Sequence, residues 1–221
     1  MPVSKEDSKL ELFSQFARIG KALSNPNRLR LMELLAQGER GVDALAKVAG
    51  LSTANASQHL QQLKQTGLVN TRKQGLNVYY RLSGEDVLEL FLSVRKVAQR
   101  HLADVDRILE SLLGNKDELE PVGAKDLLAR ASDGNITVLD VRPAEEYAAG
   151  HVPKAINVPL AELAEFVKQL PKGQEVVAYC RGPHCVLAFD AVQTLRELGF
   201  NARRLEDGFP EWQLAGLPVE R

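Results

Sequence analysis

The sequence lacks any apolar run long enough to cross a bilayer, and no leading segment has the apolar core of a secretion signal. Only two of its 221 residues are cysteine. These absences lead to the expectation of a soluble, cytoplasmic protein with no membrane partner. Net charge is also nearly missing, at −1, so the chain as a whole has no pull on a polyanion. That average hides an asymmetry. Between Lys21 and Arg81, nine Lys and Arg stand against three Asp and Glu, which leaves the remainder acidic. A basic first half beside an acidic second half is the pattern of a DNA-binding module joined to another domain. The length allows two modest domains.

Both cysteines fall in one stretch, Tyr179-Cys180-Arg181-Gly182-Pro183-His184-Cys185-Val186. Before it, Glu175-Val176-Val177-Ala178-Tyr179 reads as a buried strand; after it, Leu187, Val192, Leu195 and Leu198 recur at helical spacing up to Gly199. A cysteine at the end of a strand, on a tight loop that opens a helix, faces unpaired backbone N–H groups and the positive end of the helix dipole. Both favour thiolate over thiol, and the thiolate is the nucleophile. The plain alternative is two inert thiols.

In the first half, Leu10, Phe13, Phe16, Ala17, Ile19 and Leu23 form one face of a first helix, and Asn25-Pro26 starts a second that ends at Gly38. A short helix from Val42 closes at Gly50, and Ser52 caps another whose inward face is Ala56, Leu60 and Leu63. The two have the lengths and the turn of a helix-turn-helix. Beyond Gly67, the stretches Leu68–Arg72 and Asn77–Arg81 are strand-like and joined by Lys73-Gln74-Gly75-Leu76, a hairpin wing with basic residues at its tip.

Three stretches, Ala22–Arg30, Leu51–Leu60 and Gly67-Leu68-Val69 through Tyr79-Tyr80-Arg81-Leu82, resemble the ArsR-type winged-helix repressors. The resemblance implies a homodimer on double-stranded operator DNA. Helical geometry turns Ala54, Asn55, Ser57, Gln58 and Gln61 outward, with Thr53 at the start of that helix; Asn and Gln suit adenine edges and Ala a thymine methyl. Arg72 and Lys73 on the wing would meet phosphate or the minor groove. An ordinary wet helix face is the alternative for the polar residues. From Glu85 to Leu113 an apolar stripe exceeds what one winged helix can bury, which in this family is explained by dimerisation. Metal-sensing members use cysteines on the helix before the turn; here it reads Gly41-Val42-Asp43-Ala44-Leu45, without a thiol. His101 with Asp104 at i, i+3 is a poor ligand set, so neither a metal site nor a cofactor is expected.

The polar stretch from Gly114 to Pro121 reads as a linker. Past it, strands alternate with helices: Ile136–Val141, Pro143–Ala149, Ala155–Val158, Leu160–Leu170, Val176–Tyr179, Leu187–Leu198 and Ala202–Leu205. This alternation implies a parallel sheet with helices on both faces and a site at the carboxyl ends of the strands, where Cys180 falls. Leu139-Asp140-Val141-Arg142-Pro143 with Glu146-Tyr147, Gly150–Pro159, Tyr179-Cys180-Arg181-Gly182 and Asp207–Trp212 with Ala215–Val219 resemble a rhodanese domain. That resemblance implies that Cys180 takes a sulfane sulfur from thiosulfate or a polysulfide, held as a persulfide by the loop amides, Gly182 included. Arg181 and His184 would attract or orient the anionic donor. Asp140, Arg142, Glu146 and His151 read as a scaffolding network. Cys185 stands where the family has a hydroxyl or a cation; it either resolves the persulfide into a disulfide or trisulfide-like bridge, or is a small residue starting the helix.

The expected architecture is two domains. Residues 1–113 form a mainly α winged helix-turn-helix with a β-hairpin wing; 114–121 form a linker; 122–221 form an α/β rhodanese-like parallel sheet. The expected function is a homodimeric DNA-binding repressor that senses reactive sulfur or thiol oxidants at Cys180 and then releases DNA. The alternative is a thiosulfate/polysulfide sulfurtransferase tethered to an independent DNA-binding domain.

Overall fold

The computed structural model describes residues 4–113, 121–132, 136–171 and 173–221, so the linker expected at 114–121 lies, apart from Pro121, outside the described residues. The chain divides into two compact units, Met1–Phe91 and Leu92–Arg221.

The first unit runs α1 (Lys5–Leu23), α2 (Pro26–Leu35), β1 (Arg40–Gly41), α3 (Val42–Ala49), α4 (Thr53–Gln65), β2 (Val69–Gln74), β3 (Asn77–Leu82) and the beginning of α5 (Glu85–His101). Local chemistry sets these boundaries. Asn25 Oδ1 accepts from the N–H groups of Asn27 (3.0 Å) and Arg28 (3.2 Å), and Pro26 occupies the first turn of α2. Gly50 closes α3 at φ +68°, and Ser52 Oγ accepts from Asn55 N–H (3.2 Å) to open α4. The expected inward face of α4, Ala56, Leu60 and Leu63, is completely buried, together with Leu31 and Leu45. The three strands are antiparallel in the order β1-β3-β2, with Arg72 opposite Tyr79 and Gln74 opposite Asn77.

Two expectations change here. The wing turn is only Gly75-Leu76, because Gly75 supplies a positive φ (+58°) that lets the hairpin close in two residues. Lys73 and Arg72 therefore sit within β2, and fully exposed Leu76 is at the tip. The stripe from Glu85 to Leu113 is two helices, α5 and α6 (Ala103–Leu113), broken at Leu102. The break follows the charges: Arg100 and His101 close α5, and Asp104 and Asp106 open α6, each sign at the helix end that favours it.

The second unit contains the rest of α5, α6, α7 (Ala124–Ser132), β4 (Ile136–Asp140), α8 (Ala144–Ala149), β5 (Ile156–Asn157), α9 (Leu160–Phe166), β6 (Glu175–Tyr179), α10 (Val186–Glu197), β7 (Ala202–Arg204) and α11 (Phe209–Leu214). Its four strands are all parallel in the order β5-β4-β6-β7. Central β6 is buried on both faces, as its unbroken apolar run requires. Val176 and Ala178 pack with Val192 and Leu195 of α10, while Val177 and Tyr179 pack with Leu127 of α7 and Trp212 of α11. Among the described residues no helix is long and apolar enough to cross a membrane.

Candidate functional site

Cys180 leaves the carboxyl end of β6 and is 1% exposed; five residues later Cys185 is the N-cap of α10. The two are joined by a disulfide across the loop, with Cα atoms 6.2 Å apart, a normal span for such a bridge. No side-chain hydrogen bond caps the start of α10. Cys185 N–H donates to Gly182 O (3.1 Å), which tightens the turn. On the other side, Cys180 O accepts from Phe209 N–H (3.1 Å), and Gly208 lies so close that a β-carbon there would overlap the Arg181–Gly182 peptide. Gly208 and α11 thus form the rear wall of the cysteine loop, a contact between segments that nothing in the sequence spacing reveals.

The charge of Arg181 is committed elsewhere. Its Nε donates to both carboxylate oxygens of buried Glu146 (3.0 Å each) and its Nη2 to Oε1 (2.5 Å). Arg181 therefore anchors the loop to α8, and its pull on an anionic donor is correspondingly reduced by the neighbouring carboxylate. Gly182, Pro183 and His184 are partly exposed at the loop surface.

The expected scaffolding network is present behind the sheet. Arg142 is fully buried and donates to Asp140 Oδ1 from Nε (3.0 Å), and from Nη2 to Asp140 Oδ2 and Gly150 O (2.7 Å each). Tyr179 donates to Asp140 Oδ2 (2.5 Å) and accepts from Val152 N–H (3.0 Å). Burial, reinforced by Asp140, raises the Tyr179 hydroxyl well above the ordinary tyrosine value, so it remains a donor. His151 stacks on Tyr147 at 3.7 Å between centroids, and its Nδ1 lies 3.0 Å from Tyr147 O.

In the first unit Thr53, Ala54, Asn55, Gln58 and Gln61 are exposed along α4, and Ser57 is half-buried. Thr53 Oγ1 donates to Asp43 Oδ1 (3.0 Å), pinning α4 to α3, and Gln61 Nε2 donates to Tyr80 Oη (3.3 Å). Ala54, Asn55 and Gln58 make up the outward tip of the face. Arg72 lies over the Tyr79 ring at 5.0 Å and donates from Nη2 to Glu39 Oε1 (2.5 Å); that hydrogen bond holds the Glu39 carboxyl below its ordinary range. Lys73 is exposed beside it. Buried Arg28, which the motif stretch contained without a role, ties the ends of α1 and α4 together through Lys21 O (2.8 Å) and Gln62 Oε1 (2.6 Å).

The helix break at Leu102 puts His101 at the end of α5 and Asp104 in α6, where Asp104 accepts from Arg107 Nη2 (2.8 Å). Among the described residues no cluster of three or more His, Cys, Asp and Glu could hold a metal ion.

Comparison with known proteins finds two family matches. Residues 123–215 match the rhodanese-like domain, and residues 25–71 match the bacterial regulatory protein, arsR family. Over 216 residues the chain is 49% identical to the HTH-type transcriptional regulator Rv0324 of Mycobacterium tuberculosis, spanning 98% of this chain and 95% of that protein. A solved homodimeric winged helix-turn-helix DNA-binding domain, fragment 1–100 of Mb0332 from Mycobacterium bovis, is 48% identical, covers 47% of this chain and 95% of its own, and superposes with a TM-score of 0.43. A rhodanese-related protein of Thermoplasma volcanium is 33% identical, covers 45% of this chain and 96% of its own, and gives a TM-score of 0.41.

Proposed function

The chain belongs to the arsR family of bacterial regulatory proteins, as a transcriptional regulator with a rhodanese-like domain, and from that premise we propose that it is a cytoplasmic homodimeric repressor switched by reactive sulfur at Cys180. The reduced protein binds operator DNA through α4 and the wing. A polysulfide gives one sulfane sulfur to the Cys180 thiolate and leaves one sulfur shorter. The Cys185 thiolate then attacks Cys180 Sγ, expels hydrosulfide and closes the bridge. The dimer in this bridged state releases DNA.

The observation that supports this reading is the Cys180–Cys185 bridge itself. A transferase needs its sulfur-bearing cysteine returned to the thiol after each transfer. A neighbouring thiol able to close a disulfide withdraws that cysteine until a reductant arrives, which is the behaviour of a resettable sensor. The partner groups then have roles: Gly182 and the first amides of α10 stabilise the sulfur anion, Arg181 holds the loop through Glu146, and His184 lines the approach.

Fluorescence anisotropy on DNA upstream of its own gene tests the reading. The reduced protein is titrated with and without prior inorganic polysulfide, beside Cys180→Ser and Cys185→Ser. Loss of affinity that dithiothreitol restores, absent in Cys180→Ser, is the expected result. Unchanged affinity in a protein whose bridge has closed would leave the tethered sulfurtransferase instead.

A further inference from the structure

Arg95 stands in the part of α5 that belongs to the second unit, outside both matched segments, 25–71 and 123–215. Nothing in sulfur chemistry calls for it. Yet its Nη2 donates to Glu211 Oε1, an ion pair whose side chains are only 22% and 13% exposed. The other oxygen of that carboxylate, Oε2, accepts from the backbone N–H of Gly208 (3.1 Å). Gly208 in turn rests on the Arg181–Gly182 peptide, and the next residue, Phe209, donates to Cys180 O. Arg95 also reaches the loop directly: a β-carbon on Gly182 would lie 2.9 Å from Arg95 Nη1 and 3.9 Å from Glu211 Oε1. One carboxylate is therefore shared between a cation on α5 and the wall of the cysteine loop.

We infer that Arg95 is the positioning residue through which the state of the Cys180–Cys185 loop is read by α5, an inference that rests on the sulfur-switch reading above. The physical argument is steric and electrostatic. Cys180 is 1% exposed, so an added sulfur, or an opened bridge, requires the turn at Gly182 to move. The turn is confined by Gly208 behind it and by the Arg95 guanidinium beside it. Any displacement of Gly182 or Gly208 stretches or redirects the Arg95–Glu211 pair, and a shielded, hydrogen-bonded ion pair resists that far more than a surface pair does. The force is delivered to α5, one uninterrupted helix whose residues Glu85–Phe91 belong to the first unit. Arg95 takes no part in the bond changes at sulfur, so the bridge still closes in its absence, and removing a group that confines the Gly182 turn changes only how fast it closes.

The full-length protein is tested as wild type, Arg95→Ala, Arg95→Lys and Glu211→Gln. Mass spectrometry follows bridge closure with inorganic polysulfide, hydrogen exchange follows residues 92–101 in the reduced and bridged forms, and anisotropy follows DNA affinity. All four proteins should close the bridge. In the wild type, closure should change exchange across 92–101 and lower DNA affinity about tenfold or more, within the usual range of coupled sites. In Arg95→Ala and Glu211→Gln the exchange difference should vanish and the affinity ratio fall to within about twofold, with partial recovery in Arg95→Lys. Equal exchange differences in wild type and Arg95→Ala overturn the inference whatever DNA does. A wild type whose exchange responds while its DNA affinity does not overturns the switch reading and leaves the Arg95 link standing.

Discussion

Gly208→Ala is the sharpest probe of the wall behind the cysteine loop. The backbone at Gly208 is extended (φ −116°, ψ −174°), which alanine adopts freely, so conformational strain contributes nothing. Removing a glycine also restricts the unfolded chain, a gain of about 0.4–1 kcal/mol. Against this stands the new methyl group, which would overlap three backbone atoms of the Arg181–Gly182 peptide. Backbone cannot rotate out of the way as a side-chain tip can, so the loop or α11 must shift bodily. Such overpacking costs about 1–3 kcal/mol and here falls at the upper end. A net loss of about 2 kcal/mol lowers the melting of the second unit by roughly 6–10 °C. Gly123→Ala is the control, because a β-carbon there meets nothing within 4 Å. Circular dichroism and calorimetry of reduced proteins give the melting temperatures, and bridge closure by polysulfide gives the chemistry. Gly208→Ala should melt lower and close its bridge with altered rate, while Gly123→Ala melts at or slightly above wild type and closes its bridge at the wild-type rate. Equal melting of the two variants would refute the argument that Gly208 is a steric requirement of the loop.

Arg72→Ala should weaken binding to all DNA sequences alike and reduce the salt slope of binding by about one, whereas Glu39→Gln, which removes its carboxylate partner, should strengthen binding; salt titrations by anisotropy decide both, and an unchanged slope in Arg72→Ala would remove it from the phosphate contacts. Tyr179 predicts an alkaline limit. Its folded hydroxyl is raised above the ordinary value of 10.0, so the unfolded chain loses that proton first, and the stability it contributes, intact below pH 10, falls as pH rises beyond it. Tyr179→Phe should melt lower at neutral pH, by about 1–3 kcal/mol for the partners left behind, yet show a flatter decline above pH 10 in thermal melts at stepped pH.

The winged helix and the parallel sheet were legible because local signals agreed with the tertiary outcome, whereas the compact units divide between Phe91 and Leu92 and not at the expected linker. Asn25-Pro26, Gly50 and Ser52 cap helices by chemistry that operates within a few residues, and β6 announces its burial by an unbroken apolar run. The cysteine loop was legible for the same reason: both its thiols lie within one turn of chain. The Leu102 break is not visible in the apolar stripe, because that periodicity continues through it while the stop signal is carried by charges. What the sequence could not disclose is pairing across distance. Arg181 looks like a donor-binding cation until Glu146 is seen to hold it, and Arg95 and Glu211 stand 116 positions apart with no spacing rule to connect them. Helices α7 and α11 are short and rely on packing of Leu127 and Trp212 against β6, which no local period encodes.

The first helix makes the strongest case for a second copy of the chain. α1 is 19 residues long, yet Ala22 is its only buried residue. A helix of that length gains little from propensity alone in water, so its order must come from an apolar face covered by something. Leu10, Leu12, Phe13 and Phe16 are between 52% and 70% exposed, and Phe13 packs edge-on against Phe16 at 5.8 Å. Covering each of these side chains is worth about 1–2 kcal/mol. A regulator that reads two half-sites would need two copies, and the exposed stripe of α1 is a surface that a second α1 can cover symmetrically. Phe16→Asp places a charge in that stripe without touching the core around Leu31 and Leu60. Sedimentation velocity should find the variant monomeric at concentrations where the wild type is dimeric, with the melting of the first unit lowered because α1 frays. Operator affinity should drop to that of a single half-site. A Phe16→Asp protein that remains dimeric and binds DNA as tightly as wild type would show that α1 is not the dimer surface.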